Sequence, residues 1–413
     1  MSGALTWLPI VALGLLPWGL LGTFLAFGLR EPRPLPSDPE PLGPEETGEP
    51  GVPLVSIIVP ARNEAGNITR CLASLTRLTG VPFEILVVDD RSTDGTGEEA
   101  RAVPTGNALS VRVVEGGDLP EGWFGKPWAC RQGADLARGR FLLFTDADTV
   151  HHPDLLLRAV RAMEEDDAGL LSLLGRQEMG TFGEKLVQPQ IFLLIGTRYR
   201  SLHQTIPPDR WKDAIANGQF ILVRRTPYEA IQGHGAVRSE VVEDLRLAQA
   251  MARGGSRVTV RRAEKVFSTR MYTSLRSLVD GWTKNVAIGA RQASGRLSPL
   301  ALPGIILFLT FFWLLPAGAF FTAALTWLLT GGAAGAAVPA WVAPVAVWGG
   351  STWTLSTLIW VGAYRRFGAP VALGLIHPIG SAVVIYIVLR SWIRGGRRIE
   401  WKGRRYGATA PSG

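Results

Sequence analysis

Two long stretches without a charged side chain constrain this chain more than any other feature. Residues 1–29 contain no Asp, Glu, Lys or Arg, and none occurs between Arg296 and Arg365. A hydrocarbon core of roughly 30 Å takes about 20 apolar residues in helical form, because only helices satisfy their own backbone in lipid. Residues 4–29 read as one spanning anchor. A cleaved leader would want a basic start and a shorter apolar core, and both are missing. Residues 301–330 and 338–363 read as two further spans, joined by the small-residue linker GGAAGAA. The next apolar stretch, 368–389, is interrupted by His377-Pro378 and Gly380. It reads either as a further span or as a re-entrant hairpin, and a re-entrant or interfacial segment is preferred, since a third full span after residue 54 would move the basic tail away from the side favoured by positive charge.

Composition agrees with a chain partly in lipid. Of 413 residues only 19% are charged and 47% are hydrophobic, whereas a soluble domain carries about a quarter charged residues. The length suggests two to three domains. The net charge of +8 raises the question of nucleic acid, but its placement argues otherwise. Arg30 and Arg33 follow the anchor, and Arg390, Arg394, Arg397, Arg398, Lys402, Arg404 and Arg405 stand against Glu400 alone. Basic runs directly beside apolar segments read as headgroup-binding patches on the cytoplasmic side. No nucleic-acid-binding motif accompanies them, so no nucleic acid partner is expected. The only cysteines, Cys71 and Cys130, exclude a disulfide scaffold and fit a reducing compartment. Residues 30–53 are proline-rich and read as an extended spacer.

From residue 54 the pattern changes. LVSIIVP, FEILVVDD and RFLLFTDAD each read as a buried parallel strand ending in polar residues, with a helix over 67–77 carrying Ile68, Leu72 and Leu75 on one face. Strand–helix alternation argues for an α/β fold with a mostly parallel sheet, and such sheets bind ligands at the carboxyl ends of their strands. All three polar clusters sit at such ends.

The first cluster is Asp146-Ala147-Asp148. In a turn both carboxylates can converge on one hard cation, Mg2+ or Mn2+, which leaves positions for phosphate oxygens; the competing reading is a solvated turn capping a helix over 154–163. His151 and His152 follow and are considered as a third ligand. Asp89-Asp90 can accept hydrogen bonds from ribose hydroxyls or a base, or can simply cap the turn Ser92-Thr93-Asp94-Gly95. In Pro60-Ala61-Arg62-Asn63-Glu64, Arg62 can meet a phosphate or pair with an acid. Glu243-Asp244 opens an amphipathic helix, where acids suit the helix dipole, and a carboxylate there can also take a proton from an attacking hydroxyl. Lys126 and Lys284 are candidates to offset diphosphate charge, and His234 reads as a loop residue on the acceptor side. The run QPQIFLLIGTRY at 188–199 reads either as an interfacial helix or as a core helix.

Together PARNE, VVDDRSTDGT, TDADT and VVEDLRL, in this order, resemble a membrane-bound family 2 glycosyltransferase with the GT-A fold, over residues 54–290. NGQFILVRR, HGAVRSEVVEDLRLA, STRMYTS, GWTKN and WKGRRY narrow the likeness to enzymes acting on lipid acceptors, of the carotenoid (diaponeurosporenoate) and hopanoid-associated type. The resemblance implies a Rossmann-like catalytic domain at 54–290, preceded by the anchor at 1–29 and the linker at 30–53. Membrane helices follow at 297–390, with a basic cytoplasmic tail at 391–413. It implies that Asp89 and Asp90 contact the nucleotide of a UDP-sugar, with Pro60, Ala61, Arg62 and Glu64 lining that pocket. Asp146 and Asp148 would hold a divalent cation against the diphosphate, and Asp244, beside Glu243, would be the general base of an inverting hexosyl transfer in the cell membrane. One departure is visible: where processive synthases carry Q/R-x-x-R-W, this chain has Val279-Asp280-Gly281-Trp282-Thr283-Lys284-Asn285. Trp282 remains able to pack on sugar or acceptor, but the processive arginine is missing, which disfavours polymer synthesis. Gln232-Gly233-His234 also stands where a Gly-Gly pair is common. A catalytically silent scaffold is the remaining alternative, and the joint presence of the acids argues against it.

Overall fold

Apolar runs bounded by turn residues set the strand positions. The computed structural model describes residues 7–28, 30–198, 203–294, 298–330, 337–394, 399–401 and 404–406. The basic tail beyond Arg394 therefore falls largely outside the described residues. The chain divides into two units: residues 30–178 with 201–271, and residues 1–29 with 179–200 and 272–397. This differs from a contiguous catalytic block at 54–290. The proline-rich segment goes with the sheet, and two helices within that block go with the apolar helices.

In the first unit, β1 (Val55–Ala61) is buried along its whole length and pairs in parallel with β2 (Phe83–Asp89), Ala61 standing opposite Asp89. β3 (Ser110–Glu115) extends the sheet beyond β2, and β4 (Phe141–Thr145) pairs in parallel with β1 on its other side. Beyond β4 lies β8 (Phe220–Arg224), which runs antiparallel, with Phe220 opposite Thr145. β6 (Leu170–Leu174) and β9 (Val258–Arg262) complete the order β3-β2-β1-β4-β8-β6-β9. A small second sheet holds β5 (Thr149–His151), β10 (Phe267–Thr269) and β7 (Arg176–Gln177). The reversed direction of β8 matters functionally: its leading residues, Asn217 to Gln219, enter at the same edge where β1, β2 and β4 end.

Helices cover both faces. On one face Asn67–Leu75 buries Ile68, Cys71, Leu72 and Leu75, and Leu155–Glu165 buries Leu155, Leu156, Ala159, Val160 and Met163; on the other Gly125–Leu136 buries Cys130 and Ala134, and Glu243–Arg253 buries Leu247, Ala248 and Met251. Each such aliphatic side chain contributes roughly 1.5–3 kcal/mol by leaving water. Near the start of β2, Glu84 is fully buried and held by Ser56 Oγ at 2.7 Å and by the Arg138 guanidinium at 3.0 Å. A buried carboxylate needs such partners. The proline-rich segment is extended, as its composition requires, but it is docked rather than free. Leu35 is buried and its N–H donates to the Arg262 carbonyl at 3.0 Å, while Arg262 N–H donates to Arg33 O at 2.9 Å. Arg158 donates to Pro36 O at 2.9 Å and Arg261 to Pro34 O at 3.1 Å.

The second unit is helical. Among the described residues three helices are long and apolar enough to cross a membrane: Leu8–Phe27, Leu300–Leu329 and Val371–Ile393. The last corrects the hairpin reading of 368–389. His377 and Pro378 open the helix His377–Arg394 instead of breaking it, because a proline in the first turn removes no hydrogen bond. The helix Val342–Arg366 has the length to span, 25 residues, yet is not among the three; Gly349, Gly350, Ser351, Thr352 and Ser356 dilute its apolarity. Trp18 of the first helix is buried against it, donating to Ser356 Oγ at 2.9 Å. The run at 188–199 lies within the helix Phe182–Arg198, whose Gln190 is buried and bonded to Ser381 Oγ at 2.8 Å and to His377 O at 3.0 Å.

Candidate active site

The ends of β1 and β2 are locked to one another. Asp90 is fully buried and its N–H donates to Ala61 O at 2.7 Å. Arg62 donates to the carbonyls of Asp90 and Arg91. Asn63 and Arg91 adopt left-handed backbone, at φ 51° and 59°, a conformation that turns the chain sharply after each strand. Asn63 N–H donates to Ser92 Oγ at 3.0 Å, and Thr93 N–H returns a bond to Asn63 Oδ1 at 2.9 Å. Asp89 does the capping, its Oδ1 accepting Ser92 N–H at 3.0 Å. Pro60 and Ala61 are buried within β1, so only their backbone faces a ligand at this edge, whereas Arg62 and Glu64 stand at its tip.

Past β4, the turn Asp146-Ala147-Asp148 leads into β5. Thr149 Oγ1 donates to Asp146 O at 2.6 Å, closing that turn. The Asp146 side chain keeps 28% of its exposure and lies 2.7 Å, Oδ1 to Nζ, from Lys126. The same Nζ is 3.0 Å from Glu243 Oε1. Lys126 sits in the first turn of the helix Gly125–Leu136, and Glu243 and Asp244 in the first turn of Glu243–Arg253. Two helix starts and one strand end thus meet around a single ammonium.

Asp244 accepts two backbone hydrogen bonds: Gly218 N–H donates to Oδ2 and Leu245 N–H to Oδ1, both at 2.8 Å. A Cβ built on Gly218 would lie 2.9 Å from Lys126 Nζ and 3.2 Å from Asp244 Oδ2. A side chain there crowds both groups.

Crowding of like charges shapes the protonation equilibria. Burial, together with the charges of Asp146 and Glu64, pushes the Asp148 carboxyl up to about 7. Burial and then Glu243 push Asp244 up to about 6. Burial also raises Asp146 against the opposing pull of Lys126. Burial alone would depress Lys126, but Asp146 and Glu243 outweigh it and hold the ammonium well above its usual value. Asp244 is therefore a carboxylate at neutral pH with an affinity for protons that ordinary aspartates lack.

A hard divalent cation fits this donor set. Asp146 and Asp148 offer carboxylate oxygens in a region of excess negative charge, which favours Mg2+ or Mn2+. Among the described residues no group of three or more His, Cys, Asp or Glu is arranged to hold a metal. Neither histidine supplies a third. His151 is buried between Ser74 Oγ and Thr145 Oγ1, each at 3.2 Å, and burial lowers it to about 3. His152 pairs with Asp154.

Two other expectations change. His234 is a core residue: 2% exposed, its Nδ1 2.7 Å from the Tyr228 hydroxyl and its ring edge-on to Phe144 at 4.6 Å. Burial holds it neutral, at about 3, so it presents nothing to an acceptor. Trp282 and Lys284 lie on the helix Leu275–Ser294 of the helical unit. There Trp282 is buried, 6.0 Å from Phe192 and 6.4 Å from Tyr272 between ring centroids. Gly218 was not anticipated; NGQF was visible as a segment, but its meeting with Asp244 and Lys126 depends on the reversed β8.

Residues 56–231 match the family described as Glycosyl transferase family 2. The chain is 31% identical over 258 residues to the 4,4'-diaponeurosporenoate glycosyltransferase of Staphylococcus aureus, covering 62% of this chain and 65% of that one. It is 28% identical over 252 residues to the Staphylococcus haemolyticus protein of the same name, covering 60% and 65%. The chain thus spans about two thirds of the length of these relatives, 65% in each case. Among solved structures, a mannosyltransferase from Pyrobaculum calidifontis in complex with GDP-Man and Mn2+ superposes with a TM-score of 0.51 at 21% identity, over 92% of this chain and 97% of that one. The fold is GT-A, and the chain is similar to family 2 glycosyltransferases, the carotenoid-type ones among them.

Proposed function

We propose that the chain is a membrane-anchored, metal-dependent, inverting hexosyltransferase that moves a sugar from a UDP-sugar to the hydroxyl or carboxyl of a membrane lipid such as a carotenoid or other isoprenoid. The observation that carries this reading is the meeting of Lys126 with Asp146 and Glu243, beside Asp244, at one rim of the sheet. Segments remote in sequence supply a cation-binding pair, a base and an ammonium to one place.

In this mechanism the ends of β1 and β2, with Asp89, Asp90, Arg62 and Glu64, receive the nucleotide. Asp244 removes the acceptor proton as the acceptor oxygen bonds to the anomeric carbon. The bond from that carbon to the diphosphate breaks on the opposite face, and UDP departs with the electron pair. A divalent cation held by Asp146 and Asp148 would supply positive charge to the leaving diphosphate. Lys126 adds a second positive charge at the same rim. Gly218 N–H fixes the Asp244 carboxylate so that its protonation is tied to one geometry. The apolar helices keep the enzyme where a lipid acceptor dissolves, with the sheet unit on the cytoplasmic side, where the Arg30 and Arg33 bias puts it.

UDP release by membranes containing the chain tests this. The expectation is turnover that EDTA abolishes and Mn2+ or Mg2+ restores. Turnover indifferent to chelation removes the cation assignment.

A further inference from the structure

Lys126 occupies a position that a bound metal would contest. Its Nζ is 2.7 Å from Asp146 Oδ1 and 3.0 Å from Glu243 Oε1. The negative charges of Asp146 and Glu64 act on Asp148, and that of Glu243 acts on Asp244. One ammonium therefore serves several carboxylates. It stands over Gly218, whose missing Cβ would come within 2.9 Å of Nζ. The space the ammonium fills exists because residue 218 is glycine.

An ammonium on Asp146 and a divalent cation on Asp146 compete for the same oxygen. Resting on the proposed reading of this rim as the donor site, we infer that Lys126 is an exchangeable counter-ion. Without donor it neutralises Asp146 and Glu243 and opposes metal binding. When a nucleoside diphosphate enters, the ammonium swings to the diphosphate oxygens and vacates Asp146. Lysine suits the task, being a point charge on a flexible stem that changes partners without moving the backbone. Metal and donor then bind cooperatively, and the coupling is reciprocal: each tightens the other by the same factor.

The test uses the full chain in detergent micelles, with Mn2+ binding followed by the paramagnetic resonance of free Mn2+ and UDP binding followed by calorimetry. For the native sequence, UDP tightens Mn2+ by a factor on the order of five to a hundred, the usual span of coupling between sites, and Mn2+ tightens UDP equally. UMP, which lacks the second phosphate, gives little coupling. Lys126→Met tightens Mn2+ severalfold in the absence of nucleotide and lowers the coupling factor severalfold, leaving only the part that direct ligation of the cation by the diphosphate carries. Because loss of a positive charge alone favours cation binding, Gly218→Ala is the decisive companion. It keeps the charge, its methyl presses hardest on the flexible tip of Lys126, at 2.9 Å, and less closely on Asp244 Oδ2, at 3.2 Å, and it too tightens nucleotide-free Mn2+. The inference is overturned if UDP and Mn2+ bind the native chain independently. It is overturned equally if Gly218→Ala leaves Mn2+ affinity unchanged while Lys126→Met raises it. Failure of UDP to bind under any condition sinks the donor-site reading itself, a result distinct from binding without coupling.

Discussion

Asp244→Asn removes a charge from a carboxyl whose oxygens accept the N–H groups of Gly218 and Leu245, each at 2.8 Å. Burial and Glu243 raise that carboxyl from 3.8 to about 6. The difference is roughly 2 units, and at about 1.4 kcal/mol per unit the ionised form is disfavoured in the folded chain by about 3 kcal/mol. The sign follows from proton linkage: the folded state binds this proton more tightly than the unfolded one, so native stability falls as pH rises from about 4 to about 6. Asparagine never ionises and escapes that penalty. Against it, the amide NH2 must face one of two backbone donors, forfeiting a hydrogen bond of about 1 kcal/mol. Above neutral pH the variant should be more stable by roughly 2 kcal/mol, a rise of a few degrees in melting temperature, with the advantage vanishing below about pH 4. Its turnover should fall by about 10²–10⁴, the usual contribution of a positioned base. Thermal melts in detergent across pH, paired with UDP release, check both halves. A variant that keeps full rate removes Asp244 from the base role; one that melts lower than the native chain above neutral pH refutes the burial argument.

The pH dependence of kcat/KM should show an acidic limb near about 6, where Asp244 becomes protonated and stops accepting the acceptor proton; a rate flat across that region contradicts the assignment. Asp146→Asn should lose most turnover and most of its response to added Mn2+, read from metal titrations of UDP release, because one of two carboxylates for the cation is gone. Gly218→Val should reduce turnover at least as much as Asp244→Asn, since its Cβ meets both Lys126 and Asp244; donor titrations at fixed metal provide the measure. His234→Phe should lower stability by about 1–3 kcal/mol, through the stranded Tyr228 hydroxyl, while leaving KM for donor and acceptor unchanged. An effect confined to acceptor KM would return His234 to the site.

Much of the sheet was legible because a parallel strand buried on both faces is written as a continuous apolar run. Val55–Ala61, Phe83–Asp89 and Phe141–Thr145 all declare themselves this way, and the acids that end them mark the binding rim. Direction is a different matter. FILVR in β8 reads identically in either sense, and only its antiparallel pairing with β4 brings Gly218 to the rim. The Lys126 pairing was invisible for the same reason, because it joins two helix starts through space. His234, flanked by glycines, carries the local signature of a loop; its burial follows from the Tyr228 hydroxyl six residues earlier. The proline-rich segment misled by composition: it has few apolar residues, yet Leu35 is buried and its carbonyls are taken up by arginines 158, 261 and 262 of the sheet unit. His377-Pro378 looked like a break, whereas a proline at a helix start is benign.

The central claim is that the rim joining Asp90, Asp146, Asp148 and Asp244 glycosylates a membrane lipid. Mass spectrometry of lipids extracted from cells with the gene, without it, and with the Asp244→Asn allele tests that claim most directly. The account predicts a lipid heavier by one hexose that is present only with the intact gene, together with its unmodified parent accumulating in the other two. Identical lipid profiles in all three, or a glycolipid that survives the Asp244→Asn change, contradict it.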